Sequence, residues 1–430
     1  MQTLWIAVSV AIAVAGAGPA GRAQSPPAEP TVVELEYRGL TAPDDPLSYR
    51  SFWGWGGFEG TKDPFVQAVQ ERVRESTVVY NGSLPTAKWG VIELKDKVPV
   101  ALYFDTDADG KLSELERFPL TEPSGPGFGY PYAFVTSDFL LRTQDRREIP
   151  FRLLLVGNSY GPGEVSYMWS PCCVLEGQVN LAGEPMTLIL YTDGFEGSFT
   201  RFGSCSFALL PASQKPSGSV SRSALSSLIR HKGVFYRVTL SGTHAKGETV
   251  RVAFQKDTTP TGQIAVELKG KEALKARLTY ATITGVTEPS VHLGSSDGLS
   301  TLPVGRYRLT SGTISYGVQS DSDWQVTFTD GPGLAVETAQ TSRIGLGTPA
   351  LSIRAIKEQD RYASDAKEQS TFARGTPTFL TPQIKGAAGE MYVRFSQKQA
   401  GSSQPTDLQP HLTIVNSDGK QVVSTDMEYG

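Results

Sequence analysis

Between residues 105 and 116, oxygen-bearing side chains recur at a set spacing: Asp105, Asp107, Asp109, Ser113 and Glu116. Gly110 sits at the sixth position, where a chain wrapping an ion must turn sharply, and Lys111 at the seventh offers its backbone carbonyl. Alternation by two lets the three aspartates converge from one side of an extended turn while the intervening residues point away. Such a donor set is all hard oxygen, and calcium is the ion it fits. The six candidate ligands are therefore Asp105, Asp107, Asp109, Lys111, Ser113 and Glu116, the last closing the shell with two oxygens. Asp and Gly also cluster in plain solvated turns. Three alternating aspartates followed by Gly110 and a terminal Glu116 are more specific than such a turn requires. Leu112, the apolar residue within the stretch, is placed to pin the loop to a core.

The stretch Asp105-Thr106-Asp107-Ala108-Asp109-Gly110 resembles the EF-hand loop and its DxDxDG relatives. The resemblance covers the loop alone and implies a calcium ion held by those residues. An EF-hand is entered by a helix. Here Lys88–Leu94 and Val98–Phe104 read as strands joined by a turn at Lys95-Asp96-Lys97. Pro99 and the β-forming residues around it oppose a helix. Ser113–Arg117 has room for one helical turn before Pro119 stops it. The expected unit is strand, calcium loop, short turn, with Glu116 dependent on that turn. A partial echo follows at Tyr191–Phe199, where Asp193, Glu196 and Gly197 repeat part of the pattern without the alternating carboxylates.

Other chemistries find less support. Gly157-Asn158-Ser159-Tyr160-Gly161 follows an apolar strand and matches the G-x-S-x-G nucleophile elbow, but Pro162-Gly163 stands where a helix must start. Histidines for a triad occur at 231, 244, 292 and 411, all beyond the boundary expected near residue 212. Among 44 acidic residues no spacing singles out a catalytic pair. Cys172, Cys173 and Cys205 allow one disulfide, with buried free thiols as the alternative; no histidine stands at zinc-ligand spacing. Phe52–Phe58 is an aromatic, glycine-rich loop in which Trp53 and Trp55 suit either sugar stacking or simple packing on a sheet.

The elements that must position these groups are strands. The 430 residues hold 44 glycines and 28 prolines, a turn-rich composition. Residues 1–23 carry an apolar run, Leu4–Val14, and small residues at Gly21-Arg22-Ala23, the pattern of an export signal. Its removal takes Arg22, so the net charge passes from −4 to −5, a balance that argues against nucleic-acid binding. No later segment is long and apolar enough to span a membrane as a helix. We expect a mostly β chain: a signal at 1–23, a sandwich or barrel domain at 24–212 carrying the calcium loop 105–116, a middle β domain at 213–288 and an Ig-like β domain at 289–430. A Pro/Ser/Gly linker at Leu210–Ser219 marks the first boundary, and Ser223–Arg230 suggests a short helical turn. Leu302-Pro303-Val304-Gly305-Arg306-Tyr307 resembles the strand-entry turn of secreted Ig-like and prealbumin-like modules. The final stretch, with a turn at Ser417-Asp418-Gly419-Lys420, resembles secreted bacterial multidomain β proteins. The expected function is that of an exported, non-enzymatic calcium-binding protein with a structural ion site. It would be periplasmic, cell-surface or extracellular, and would meet a protein or glycan partner. Carbohydrate binding is the first alternative and a secreted hydrolase the second.

Overall fold

The computed structural model describes residues 29–426 apart from 42–46, 48–54, 57–61, 86–87, 122–130, 144–145, 162–163, 193, 196, 203–204, 215–219, 221, 246–247, 270–274, 286–290, 294–298, 318–323, 348, 361–366, 368–370, 374, 399–404 and 410. The expected signal at 1–23, Trp53, Asp193 and Glu196 lie outside the described residues.

Four sheets pack around the core beneath the loop, and two of them position it. The larger has eight strands with β1 (Thr31–Gly39) inside it. β1 alternates, burying Val33 and Leu35 while Glu34 and Glu36 face out. It pairs antiparallel with Cys173–Leu181 on one side and with Val250–Lys256 on the other. One sheet thus runs across residue 212, since strands from both sides of the expected linker share β1 as their neighbour. The expected helical turn at Ser223–Arg230 is instead two strands, Ser223–Ala224 and Leu228–His231.

The smaller sheet runs in sequence order through β2 (Trp55–Gly56), β3 (Ser76–Tyr80), β4 (Trp89–Lys95), β5 (Val98–Phe104) and β6 (Arg117–Pro119). Both of its faces are covered, which is why β4 shows no polar alternation. Val79, Ile92, Leu102, Phe104 and Phe118 enter the main core, together with Val33, Leu35 and Leu175 of the larger sheet. Trp169 packs there with its ring 5.3 Å from that of Phe104. Gly90 leaves room for it: a Cβ at residue 90 would meet the Trp169 ring at 3.3 Å and Val79 at 3.0 Å.

The other face, through Val78 and Val91, receives α1 (Pro64–Arg72), which buries Phe65, Val66 and Val69. Asp63 starts this helix: its Oδ1 accepts from the N–H groups of Phe65 (3.0 Å) and Val66 (3.3 Å), and Pro64 stands at the first helical position, where a missing N–H costs nothing. Nine residues are too few for a stable helix in isolation, so α1 depends on its buried face. Asp63→Ala is expected to cost about 1 kcal/mol, read as a lower urea midpoint with an unchanged slope.

The strand Leu153–Gly161 contains the G-x-S-x-G stretch, and the chain runs through Ser159 as strand, paired with Glu164–Pro171. No strand-to-helix elbow forms there. Cys172, Cys173 and Cys205 are all buried and none is in a disulfide, so the expected pairing is absent. Adjacent strand positions alternate faces, and Cys172 accordingly belongs to a separate cluster with Val174 and Ile189, while Cys173 and Cys205 belong to the main core. Burial pushes the Cys173 thiol up to about 12, which keeps it protonated and inert.

Residues beyond 257 form further β structure around a second core, with Ile264, Leu309, Phe328 and Tyr392 at its centre. Thr261–Lys269 pairs parallel with Thr341–Gly347, and a nine-stranded antiparallel sheet runs from Lys275 to Asp407. Among the described residues no helix is long and apolar enough to cross a membrane.

Candidate metal centre

The Asp105–Glu116 stretch connects two neighbouring antiparallel strands. β5 ends at Phe104, the loop follows, a single 3-10 turn occupies Glu114–Glu116, and β6 returns beside β5 with Leu102 opposite Phe118 and Tyr103 opposite Arg117. Both stems are fixed. Phe104 and Phe118 are buried in the main core, and on the other side the Arg117 guanidinium donates to Glu93 (3.0 Å) and the Tyr103 hydroxyl (3.1 Å). The loop body leans on α1. Leu112 packs against the Phe65–Val69 cluster as its apolar character suggested, and Arg72 at the helix end pairs with Glu114 at 2.9 Å. That pair is solvent-exposed and contributes little by itself.

The three aspartates converge: one carboxylate oxygen from each of Asp105, Asp107 and Asp109 lies within 4.8 Å of the others. Backbone amides hold them in place. Asp105 accepts from Asp109 N–H (3.1 Å) through Oδ1 and from Gly110 N–H (3.0 Å) through Oδ2. Asp107 accepts from Asp109 N–H at 3.1 Å, and Asp109 from Lys111 N–H at 2.7 Å. The turn needs left-handed backbone at Ala108 (φ 58°) and Gly110 (φ 74°), a conformation glycine adopts freely and alanine does not. Asp105 is 7% exposed, whereas Asp107 and Asp109 face solvent.

Glu116, expected as the ligand that closes the shell, has both of its oxygens bonded to loop amides. It is 1% exposed and not among the converging oxygens. Its Oε1 accepts from Thr106 N–H (2.9 Å) and its Oε2 from Ser113 N–H (2.8 Å), so it ties the first residues of the loop to the last. Ser113 and Lys111 are exposed, and the Lys111 ammonium lies 3.9 Å from Asp109. Beside the aspartates a cleft of about 420 Å3 opens, bordered by Asp63, Phe65, Lys88 and Trp89. Sequence reasoning missed this wall because it missed α1; the Asp63-Pro64 start and the apolar residues at 65, 66 and 69 are the signals that mark it. Of the aromatic loop 52–58 only the backbone of Trp55–Gly56 is described, paired with Val79 and Tyr80 as β2.

Burial is the largest influence on Asp105. Together with the charges of Glu116 and Asp107 it raises this carboxyl to about 6, against the opposing bonds from Gly110 and Asp109. The folded chain thus holds this proton more tightly than the unfolded chain does. Stability of the chelated protein is then greatest below the ordinary carboxylate value and falls as pH rises from about 4 through 6. Because the aspartate cluster borders an open cleft, the effect is discounted for solvent to about 1–2 kcal/mol. Urea titrations in chelator at pH 4.5 and 7.5 should show the decline, and Asp105→Asn should flatten it. A wild-type midpoint that rises over this range would overturn the assignment.

The chain matches no family model, no curated protein and no solved structure.

Proposed function

We propose that this chain is an exported protein that holds one calcium ion at the β5–β6 connection, and that the ion acts as a structural staple. The observation that carries the reading is the convergence of Asp105, Asp107 and Asp109 at the end of a core strand. Burial first, and then the charges of Glu116 and Asp107, raise the Asp105 carboxyl. A divalent cation would cancel the repulsion and replace the solvation that Asp105 loses. The donor set is oxygen only, with no thiol or imidazole in the cluster, which favours calcium over zinc. In this reading Asp105, Asp107 and Asp109 are the side-chain ligands, Lys111 contributes its carbonyl, and Ser113 a hydroxyl or a bridging water. Glu116 serves first as the tie between loop ends.

A sensor role is disfavoured, since sensors open a groove between paired helices and this loop joins two strands of one sheet. The supported role is an envelope or extracellular structural or interaction module without catalytic activity. Titration calorimetry of the chelated full chain tests the ion. Calcium should bind at one site per chain, magnesium more weakly, and Asp107→Asn, which keeps the amide bond that orders the turn, should sharply weaken the binding. Absence of binding at millimolar calcium would sink the reading.

A further inference from the structure

Among the described residues, eight of the thirteen exposed large apolar side chains lie beyond residue 320. They fall largely on two hairpins. The first pairs Ala350–Lys357 with Thr378–Lys385 and joins the nine-stranded sheet only through Ile384 opposite Tyr392 and Lys385 opposite Met391. Ala350–Lys357 is the edge of that sheet. Leu351 (64% exposed) and Ile353 (44%) share its apolar face with their cross-strand neighbours Ile384 and Pro382. The second hairpin pairs His411–Val415 with Gln421–Asp426 as a separate two-stranded sheet, and every residue of Gln421–Asp426 is exposed. Val422 (56%) and Val423 are among them.

Both features are physically incomplete. An open edge strand presents unpaired backbone groups that invite strand addition. A lone two-stranded hairpin is marginal in water and is ordered by packing on something else. Each supplies what the other lacks, and their charges match. The strands of the first hairpin carry Arg354, Lys357 and Lys385 and no acid; those of the second carry Asp426 and no lysine or arginine. We propose that two copies of this chain associate by strand addition, Gln421–Asp426 of each copy docking on the Ala350–Lys357 edge of the other. The reciprocal exchange closes with two-fold symmetry and pairs both open edges at once.

The test is the solution mass of the full chain by light scattering from about 1 to 200 μM, concentrations that bracket the weak end of specific association. Wild type should show a dimer whose share rises with concentration. Ile353→Lys and Val422→Glu alter side chains already exposed, so each should leave the melting curve unchanged while weakening association tenfold or more. Carried in one chain, the two substitutions face each other across the interface and should restore part of the loss. A strictly monomeric wild type overturns the proposal, as does a dimer insensitive to either substitution. A monomer in which each substitution alters amide exchange on the other hairpin would assign the contact to a single chain, and overturns it equally.

Discussion

Calcium at about 1 mM should raise the unfolding midpoint of the loop-bearing sheets by several degrees over the chelated protein, and Asp107→Asn should remove most of that rise. If the dissociation constant is about 10 μM, mass action stabilises the folded state by about 2.7 kcal/mol. For a unit of this size, at about 2–4 °C per kcal/mol, that corresponds to roughly 5–11 °C. The second core, around Leu309 and Phe328, contains none of the proposed ligands, so in a two-step melt only the transition of the first core should respond. Asp107 is the right position to alter. It is exposed and accepts one amide bond, at 3.1 Å from Asp109, which an asparagine oxygen also accepts. The substitution removes a charge from the cluster while leaving the turn intact, so the chelated midpoint should stay within about 0.5 kcal/mol of wild type. Asp105→Ala would lose two amide bonds as well as a ligand, and would confound binding with folding. An equal calcium shift in wild type and Asp107→Asn would remove Asp107 from the ligand set. No shift in either would remove the ion as a stabiliser.

The stems of this site were legible because local signals agreed. Val98–Phe104 is a strand with the boundaries its β-forming residues suggest, and Asp96 and Lys97 form the two-residue turn before it, both with positive φ. The single turn after Ser113 is also present, as a 3-10 turn. What local pattern does not encode is pairing. β6 is three residues long and carries no alternation of its own, so its return alongside β5 rests on Phe118 and Arg117 meeting partners more than ten residues away. The same holds for β1, whose neighbours come from residues 173–181 and 250–256. A polar linker at 210–219 marks where the chain leaves one strand, and says nothing of whether the next strands rejoin the same sheet.

Spacing misled in one place for a definable reason. Leu225, Leu228 and Ile229 stand three and four apart, the helical interval, and all are buried. Leu225 and Ile229 enter the main core and Leu228 the second, because the chain bends between the two strand fragments, where the Ser226 hydroxyl accepts from Leu228 N–H at 3.2 Å and Leu225 N–H bonds back to Cys205. Serine competes for backbone bonds in this way and disfavours helix. The cysteines are a similar case. Adjacency of Cys172 and Cys173 suggests a shared role, but strand pleating sends them to opposite faces.

Glu116→Ala should destabilise the chelated protein by about 3 kcal/mol, more than any aspartate substitution that spares the turn, because it leaves two amide donors without their acceptor. The Glu116 carboxylate joins Thr106 at 2.9 Å to Ser113 at 2.8 Å, closing the loop across its full width in a buried setting. The spacing of the sequence alone casts Glu116 as the twelfth-position ligand; in the structure its two oxygens brace the loop ends. The two roles separate experimentally. If Glu116 is only a brace, Glu116→Ala lowers the chelated and calcium-loaded midpoints by the same amount in free energy. If it also ligates, the calcium-loaded form falls further, and calorimetry shows a weaker site. Glu116→Gln keeps one acceptor and turns an amide donor toward the other N–H, so it should lose at least half as much as the alanine variant. A Glu116→Ala protein that unfolds in chelator at the wild-type urea midpoint would refute the brace, and with it the reading of how this loop is held open for its ion.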